Sequence, residues 1–332
     1  MASLPFSPRI ASLPKAELHL HLEGSIQPAT TRTLMARHGV KATEQEVRQS
    51  YAFRDFPGFL ETFKWVTSFL RDPQDYALVT RELAEHLLQQ NVIYAEVTLS
   101  VGVMLLRKQR PEANFEALLR AAEPFERRGL CLRWVFDAVR QFGAEAAMAV
   151  VEVAKACQSK TIVAFGIGGD ELQVPSVEFQ AAYDCAAELG LHKLIHAGET
   201  GGPDKIREAI ELLGVERIGH GIATIKDPAL MDLLAERKIP LEICPQSNLK
   251  TGALARLLSR DNARIEDHPL PTLFRHGIPV VLSTDDPALF DTILRAEYAN
   301  AARMGLQENE LEQISQMGFQ YAFHPAARGR SS

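Results

Sequence analysis

Along this chain, short runs dense in Val, Ile, Leu and Phe alternate with longer stretches whose apolar residues fall three and four apart. The short runs, at residues 17–22, 92–99, 131–139, 161–167, 192–197, 217–219, 240–244 and 279–284, read as β-strands. Between them, stretches such as 114–128 and 203–213 gather apolar residues on one helical face and charges on the other. Regular alternation of this kind argues for parallel βαβ units, and eight such units close into a (β/α)8 TIM barrel, an α/β fold. One interval breaks the rhythm. Residues 28–90, between the first two strands, hold three or four helices where a crossover needs one, so a helical insertion is expected over the barrel mouth. No internal repeat or Gly/Ser linker divides the chain, which predicts a single domain over residues 1–332.

The 332 residues are 46% hydrophobic and 23% charged, which excludes wholesale disorder, collagen and coiled coil. With 36 basic against 42 acidic side chains the net charge is −6, and no basic run offers a footprint for duplex nucleic acid. No stretch reaches about 18 apolar residues. Pro5, Pro8, Arg9, Pro14 and Lys15 interrupt any signal-peptide core near the start. The expectations are therefore a cytoplasmic location and neither a nucleic-acid nor a membrane partner. Cys131, Cys157, Cys185 and Cys244 are too scattered for a disulfide framework or a zinc ribbon and are expected as buried thiols.

The strongest chemical signal is His19-Leu-His21, because side chains two apart on a strand share a face. Alone, the pair reads equally well as core histidines or as two converging ligands. Three later strand ends also carry polar clusters: His196-Ala-Gly-Glu199, Gly219-His220-Gly221 and Ser283-Thr-Asp285-Asp286-Pro287. Any one of them could be a turn, but four clusters at the C-terminal ends of four units fall where barrel enzymes keep their active sites. Three imidazoles with one carboxylate suit Zn²⁺. Cys244 is read as a packed thiol and left out of the site.

The ordered motifs Pro14-Lys-Ala-Glu-Leu-His-Leu-His-Leu-Glu-Gly-Ser25, Gly169-Asp-Glu171, His196-Ala-Gly-Glu199, Arg217-Ile-Gly-His-Gly221, Cys244-Pro-Gln-Ser-Asn248 and Ser283-Thr-Asp-Asp-Pro287 together resemble the adenosine deaminase family of the amidohydrolase superfamily, over about residues 14–325. The resemblance implies one Zn²⁺ per chain, held by His19, His21, His196 and Asp285 with a catalytic water completing the site. Dinuclear relatives bridge their metals with a modified lysine on strand four, and residues 161–169 contain none. By the same resemblance His220 would orient the water and take its proton, with Asp285 steering it. Glu199 would protonate purine N1, Asp286 would contact N7, and the Gly169 N–H would reach N3. Phe56, Phe59 and Phe63 align with the helix that lids the base and ribose pocket; without the resemblance, their spacing reads as an ordinary buried stripe.

Three departures bear on the substrate. Glu23 stands where the family commonly has an aspartate for the ribose 5′-hydroxyl. Gly166-Ile-Gly-Gly169 removes a carboxylate beneath the pocket, and Ser100 lacks the usual following proline. The expected reaction is deamination of a small-molecule 6-aminopurine nucleoside, adenosine first on family frequency, with 6-aminodeoxyfutalosine close behind and then free adenine. Two rivals are a metal-dependent phosphoesterase and a catalytically silent binding protein. The first should show more basic and metal-binding groups, the second a missing ligand.

Overall fold

The computed structural model describes residues 7–327. Its eight strands are β1 (Lys15–His21), β2 (Val92–Leu99), β3 (Cys131–Val139), β4 (Ile162–Gly168), β5 (His192–Ala197), β6 (Arg217–His220), β7 (Leu241–Ile243) and β8 (Val280–Leu282). All run parallel in sequence order. Closure occurs beyond the end of β8, where His21 N–H donates to Asp285 O at 2.8 Å and Asp285 N–H donates to His19 O at 3.0 Å. The seam of the (β/α)8 barrel thus passes through three residues expected to bind metal. β7 and β8 are shorter than the sequence suggests, because Pro240 and Pro279, each without an N–H, precede the ladder.

β1 shows why a barrel strand can be buried along its whole length and still carry polar chemistry. All seven of its residues are buried. Leu20, with Leu22 just beyond, joins the main apolar cluster, while Glu17, His19 and His21 alternate with the leucines and are also buried. The insertion consists of four helices, Pro28–Arg37, Glu44–Ser50, Phe56–Thr67 and Pro73–Gln89. Their starts are written in the sequence: Asp55 caps the third through Gly58 N–H at 2.9 Å, and Asp72 caps the fourth in a capping box, each followed by proline in the first turn. Cys131 and Cys244 are buried, but Cys157 and Cys185 are only half-buried, against expectation, because each lies at the margin of its helix's apolar face. Among the described residues no helix is long and apolar enough to cross a membrane.

Candidate active site and metal centre

Four imidazoles and a carboxylate converge where β1, β5, β6 and β8 end. The Nε2 atoms of His19 and His21 each lie 3.3 Å from Asp285 Oδ1. His196 stacks on His19 with ring centroids 4.6 Å apart. The stack requires glycine at 219: a Cβ there would sit 2.6 Å from His196 Cδ2 and 2.7 Å from His19 Cε1. His220 and Asp285 both adopt left-handed backbone, φ 63° and 66°. Such a conformation is uncommon for residues with a Cβ and concentrates at functional sites.

The orientation of His19 is fixed from behind. Its Nδ1 donates to Glu242 Oε2 at 2.9 Å, and Glu242 is held in turn by Arg217, which also pairs with Glu96 at 2.6 Å. The Nε2 lone pair is left facing the cluster, buried and without a hydrogen-bond partner. Burial alone would depress this imidazole, but Asp285 and Glu242 carry it up to about 9, so the surroundings favour positive charge. His196 is pushed far down, by burial first and then by the neighbouring rings. Donor atoms of His19, His21 and Asp285, and of His19, His196 and His220, lie within 4.8 Å of one another. An orphaned, correctly aimed imidazole nitrogen among nitrogen and carboxylate donors fits a divalent cation such as zinc. A separate group on the insertion, His38 with Asp72 and Asp75, already holds the Arg37 guanidinium, whose Nε is 2.8 Å from Asp75 Oδ1.

Beside this cluster lies a cavity of about 260 Å³. Glu199, Asp286, Gly169 and Ser100 line it, and Phe56, Phe59 and Phe63 roof it from the helix Phe56–Thr67. Burial first, then Asp285 and Glu171, raise the Glu199 carboxyl to about 8, so it keeps its proton at neutral pH. Its loop is clamped by Glu171, which accepts from the N–H groups of Gly198, Thr200 and Gly201. Asp286 is raised well above the usual carboxylate range, by burial and then by Asp285, and its Oδ1 has no partner. Behind the cluster, Ser247 Oγ donates to Asp285 Oδ2 at 2.7 Å, and Asn248 Nδ2 lies 3.1 Å from His220 Nδ1.

The expected metal and catalytic residues are thus brought together, along with Asp286, Gly169, Phe59, Phe63 and Ser100. Glu23 is not part of the lining. It is 2% exposed; its Oε1 accepts the N–H of Ser100, itself a lining residue, at 3.0 Å, and its Oε2 has no partner. Instead the cavity contains Asp137 of β3, which the motif reading passed over. Glycines keep its place open: a Cβ at 166 or at 168 would come 3.1 Å from an Asp137 carboxylate oxygen. The carboxylate missing from β4 is therefore matched by one on the adjacent strand. An aspartate at the apolar C-terminal end of β3, opposite paired glycines, was the available signal. Glu171, Ser247 and Asn248 fall in motifs of the resemblance, but no role could be read for them or for Glu242, since each acts through a partner distant in sequence.

Residues 14–331 match the family model described as adenosine deaminase. The aminodeoxyfutalosine deaminase of Streptomyces coelicolor is 38% identical over 321 residues, 95% of this chain and 81% of that protein. An adenine deaminase of the same organism is 34% identical, covering 94% of this chain and 90% of its own length. The crystal structure of an adenine deaminase from Arthrobacter aurescens superposes with a TM-score of 0.87 at 28% identity, over 96% of this chain and 98% of that one. This chain belongs to the adenosine deaminase family and is a hydrolytic aminohydrolase.

Proposed function

We propose that the protein replaces the 6-amino group of a 6-aminopurine nucleoside with oxygen, releasing ammonia, and that 6-aminodeoxyfutalosine is its preferred substrate. The observation that carries this reading is the 38% identity, over 95% of the chain, to an aminodeoxyfutalosine deaminase. It favours the second of the two nucleosides weighed from the sequence over adenosine. An aromatic roof and the polar pair Ser100 and Asp137 on the β2–β3 side suit a substituent on N9, which free adenine lacks.

His19, His21, His196 and Asp285 would hold one zinc, which would supply a Lewis acid that brings the pKa of water toward neutrality. β4 has no lysine with which to hold a second. Glu199, protonated at neutral pH, hydrogen-bonds N1 and gives it a proton as C6 is attacked. Asp286, whose carboxyl is raised by burial and by Asp285, lines the cavity and contacts N7. Gly169, at φ 96°, presents backbone to N3. His220 Nε2, 3.7 Å from Glu199 Oε2 and 3.8 Å from Asp285 Oδ2, marks the place of the attacking water.

The test compares kcat/KM for 6-aminodeoxyfutalosine, adenosine, 2′-deoxyadenosine and adenine. A preference of about 10-fold or more for 6-aminodeoxyfutalosine over adenosine is expected, because a site that hydrogen-bonds a substituent discriminates against analogues lacking it. Adenine turned over better than every nucleoside would refute the reading. Asp137→Ala should penalise the preferred nucleoside by about 10-fold, one buried hydrogen bond, and leave adenine nearly unaffected. One zinc per chain should suffice for full activity; a requirement for two would refute the mononuclear assignment.

A further inference from the structure

His220 is backed by a chain of hydrogen bonds whose direction is forced from its far end. There, Leu270 N–H lies 3.1 Å from His268 Nδ1. A backbone amide only donates, so His268 Nδ1 accepts, and the neutral ring carries its proton on Nε2. His268 Nε2 is 3.2 Å from Asn248 Oδ1, so the Asn248 oxygen receives that proton. Its NH2 group must then face His220, and Asn248 Nδ2 is indeed 3.1 Å from His220 Nδ1. His220 Nδ1 is consequently an acceptor, which puts its own proton on Nε2. The three side chains are at least 96% buried, so water does not offer competing partners. They come from different elements: His220 from the end of β6, Asn248 from the helix Pro245–Lys250, and His268 from the turn before the helix Leu270–Arg275.

We infer that His268 and Asn248 are positioning residues for the deamination, holding His220 as an Nε2–H donor so that it presents a hydrogen, and not a lone pair, to the attacking water. This rests on the proposed deaminase reading and revises one role the family resemblance implies, in which His220 takes the water's proton. A ring already protonated on the facing nitrogen stabilises negative charge developing on the water oxygen but accepts nothing. The proton passes instead to Asp285 Oδ2, 3.8 Å from His220 Nε2, since the similarly placed Glu199 already carries its own proton. As the water oxygen bonds to C6, its first proton moves to Asp285 and Glu199 gives its proton to N1. As the C6–N bond breaks, Asp285 passes its proton to the departing amine, which leaves as ammonia. The proton on the new C6 oxygen returns to Glu199, leaving a C6 carbonyl, and both carboxyl groups end as they began.

The deciding measurement is long-range ¹⁵N–¹H NMR of the zinc-loaded enzyme labelled at histidine, which separates the two imidazole tautomers. His220 is expected as Nε2–H. Asn248→Asp keeps the shape but can only accept, so His220 should become Nδ1–H. In that variant kcat should fall about 100-fold, the scale of one lost donor to developing negative charge, with KM and zinc content nearly unchanged. His268→Gln, which still donates to Asn248, should keep kcat within about threefold, whereas His268→Leu should not. An Nδ1–H tautomer in the native enzyme would overturn the inference. So would a loss of kcat in Asn248→Asp with the tautomer unchanged, which marks a merely structural role, or full kcat with the tautomer switched. If Asn248→Asp does not fold, the native spectrum decides alone. If the native enzyme deaminates no 6-aminopurine, the proposed function fails, while the tautomer still tests the hydrogen-bond chain.

Discussion

Gly219→Ala adds one methyl group at the closest approach of His19 and His196, the two proposed metal ligands that stack on each other. The new Cβ would lie 2.6 Å from His196 Cδ2, 2.7 Å from His19 Cε1 and 3.0 Å from His19 Nδ1. Carbon atoms rest about 3.5–4.0 Å apart, so each ring must retreat by roughly 0.8–1 Å. His19 has little freedom to do so, because its Nδ1 is tied to Glu242 at 2.9 Å and its backbone belongs to the barrel seam. Zinc ligands tolerate departures of only about 0.2 Å. Metal affinity should therefore fall by at least the 10- to 100-fold seen when a ligand's supporting contact is lost, and kcat by about 100-fold at saturating zinc. Overpacking should lower stability by about 1–3 kcal/mol. The assay is zinc retained against a competing chelator, alongside urea unfolding and steady-state kinetics. Native zinc affinity with native kcat in a folded Gly219→Ala protein would refute the claim that this glycine sets the ligand geometry.

Two further outcomes follow from buried acids. Glu199→Gln should retain zinc while kcat/KM drops about 10²–10⁴-fold, roughly 3–5 kcal/mol, because the amide has no acidic proton for N1; loss of the metal, or near-normal turnover, would contradict its role as proton donor. Glu297, fully buried and accepting from Thr292, Asn300 and Gln246, has its carboxyl raised by burial from 4.5 to about 7. Between those pH values the folded state binds a proton the unfolded chain has released, so stability at this site falls as pH rises. Relative to the native protein, Glu297→Gln should gain about 1.4 kcal/mol per pH unit across that window, measured by urea unfolding at several pH values; a pH-independent difference would be the contrary result.

The barrel and the reaction class were legible because they are written locally. A strand end such as His19-Leu-His21 carries both its period and its donors in three residues, and backbone pairing then brings four such ends together. The insertion was legible as length and helical spacing, and its caps as Asp-x-Pro or Asp-Pro runs. What could not be read were contacts between elements far apart in sequence. The Glu242 carboxylate reaches His19 across 223 positions. Asp137 illustrates the same limit at the substrate end: its place in the cavity depends on Gly166 and Gly168 of the neighbouring strand, and Glu23 meets the lining through the N–H of Ser100, 77 positions away. Substrate choice lies at that level, and the reaction does not.

The charges behind the site favour a divalent cation over a single proton. Glu96 and Glu242 flank the single guanidinium of Arg217, which leaves one negative charge, and Asp285 adds a second. Glu199, raised to about 8, keeps its proton at neutral pH and adds nothing. Glu96, Glu242, Arg217 and Asp285 together carry a formal charge of about −2 in a space of low dielectric, where uncompensated charge is costly. One protonated imidazole offsets half of it. A divalent cation at the His19 Nε2 position offsets all of it and leaves Nδ1–H free to keep its bond to Glu242. The same network reaches the far end of the barrel, where Phe323 stacks its ring 3.7 Å beneath the Arg217 guanidinium and gives its N–H to Glu96 at 2.6 Å. The segment after the last long helix therefore has a task beyond covering the barrel floor: it desolvates Arg217 and so holds the Glu242–His19 pair, and through it one metal ligand, in a fixed orientation.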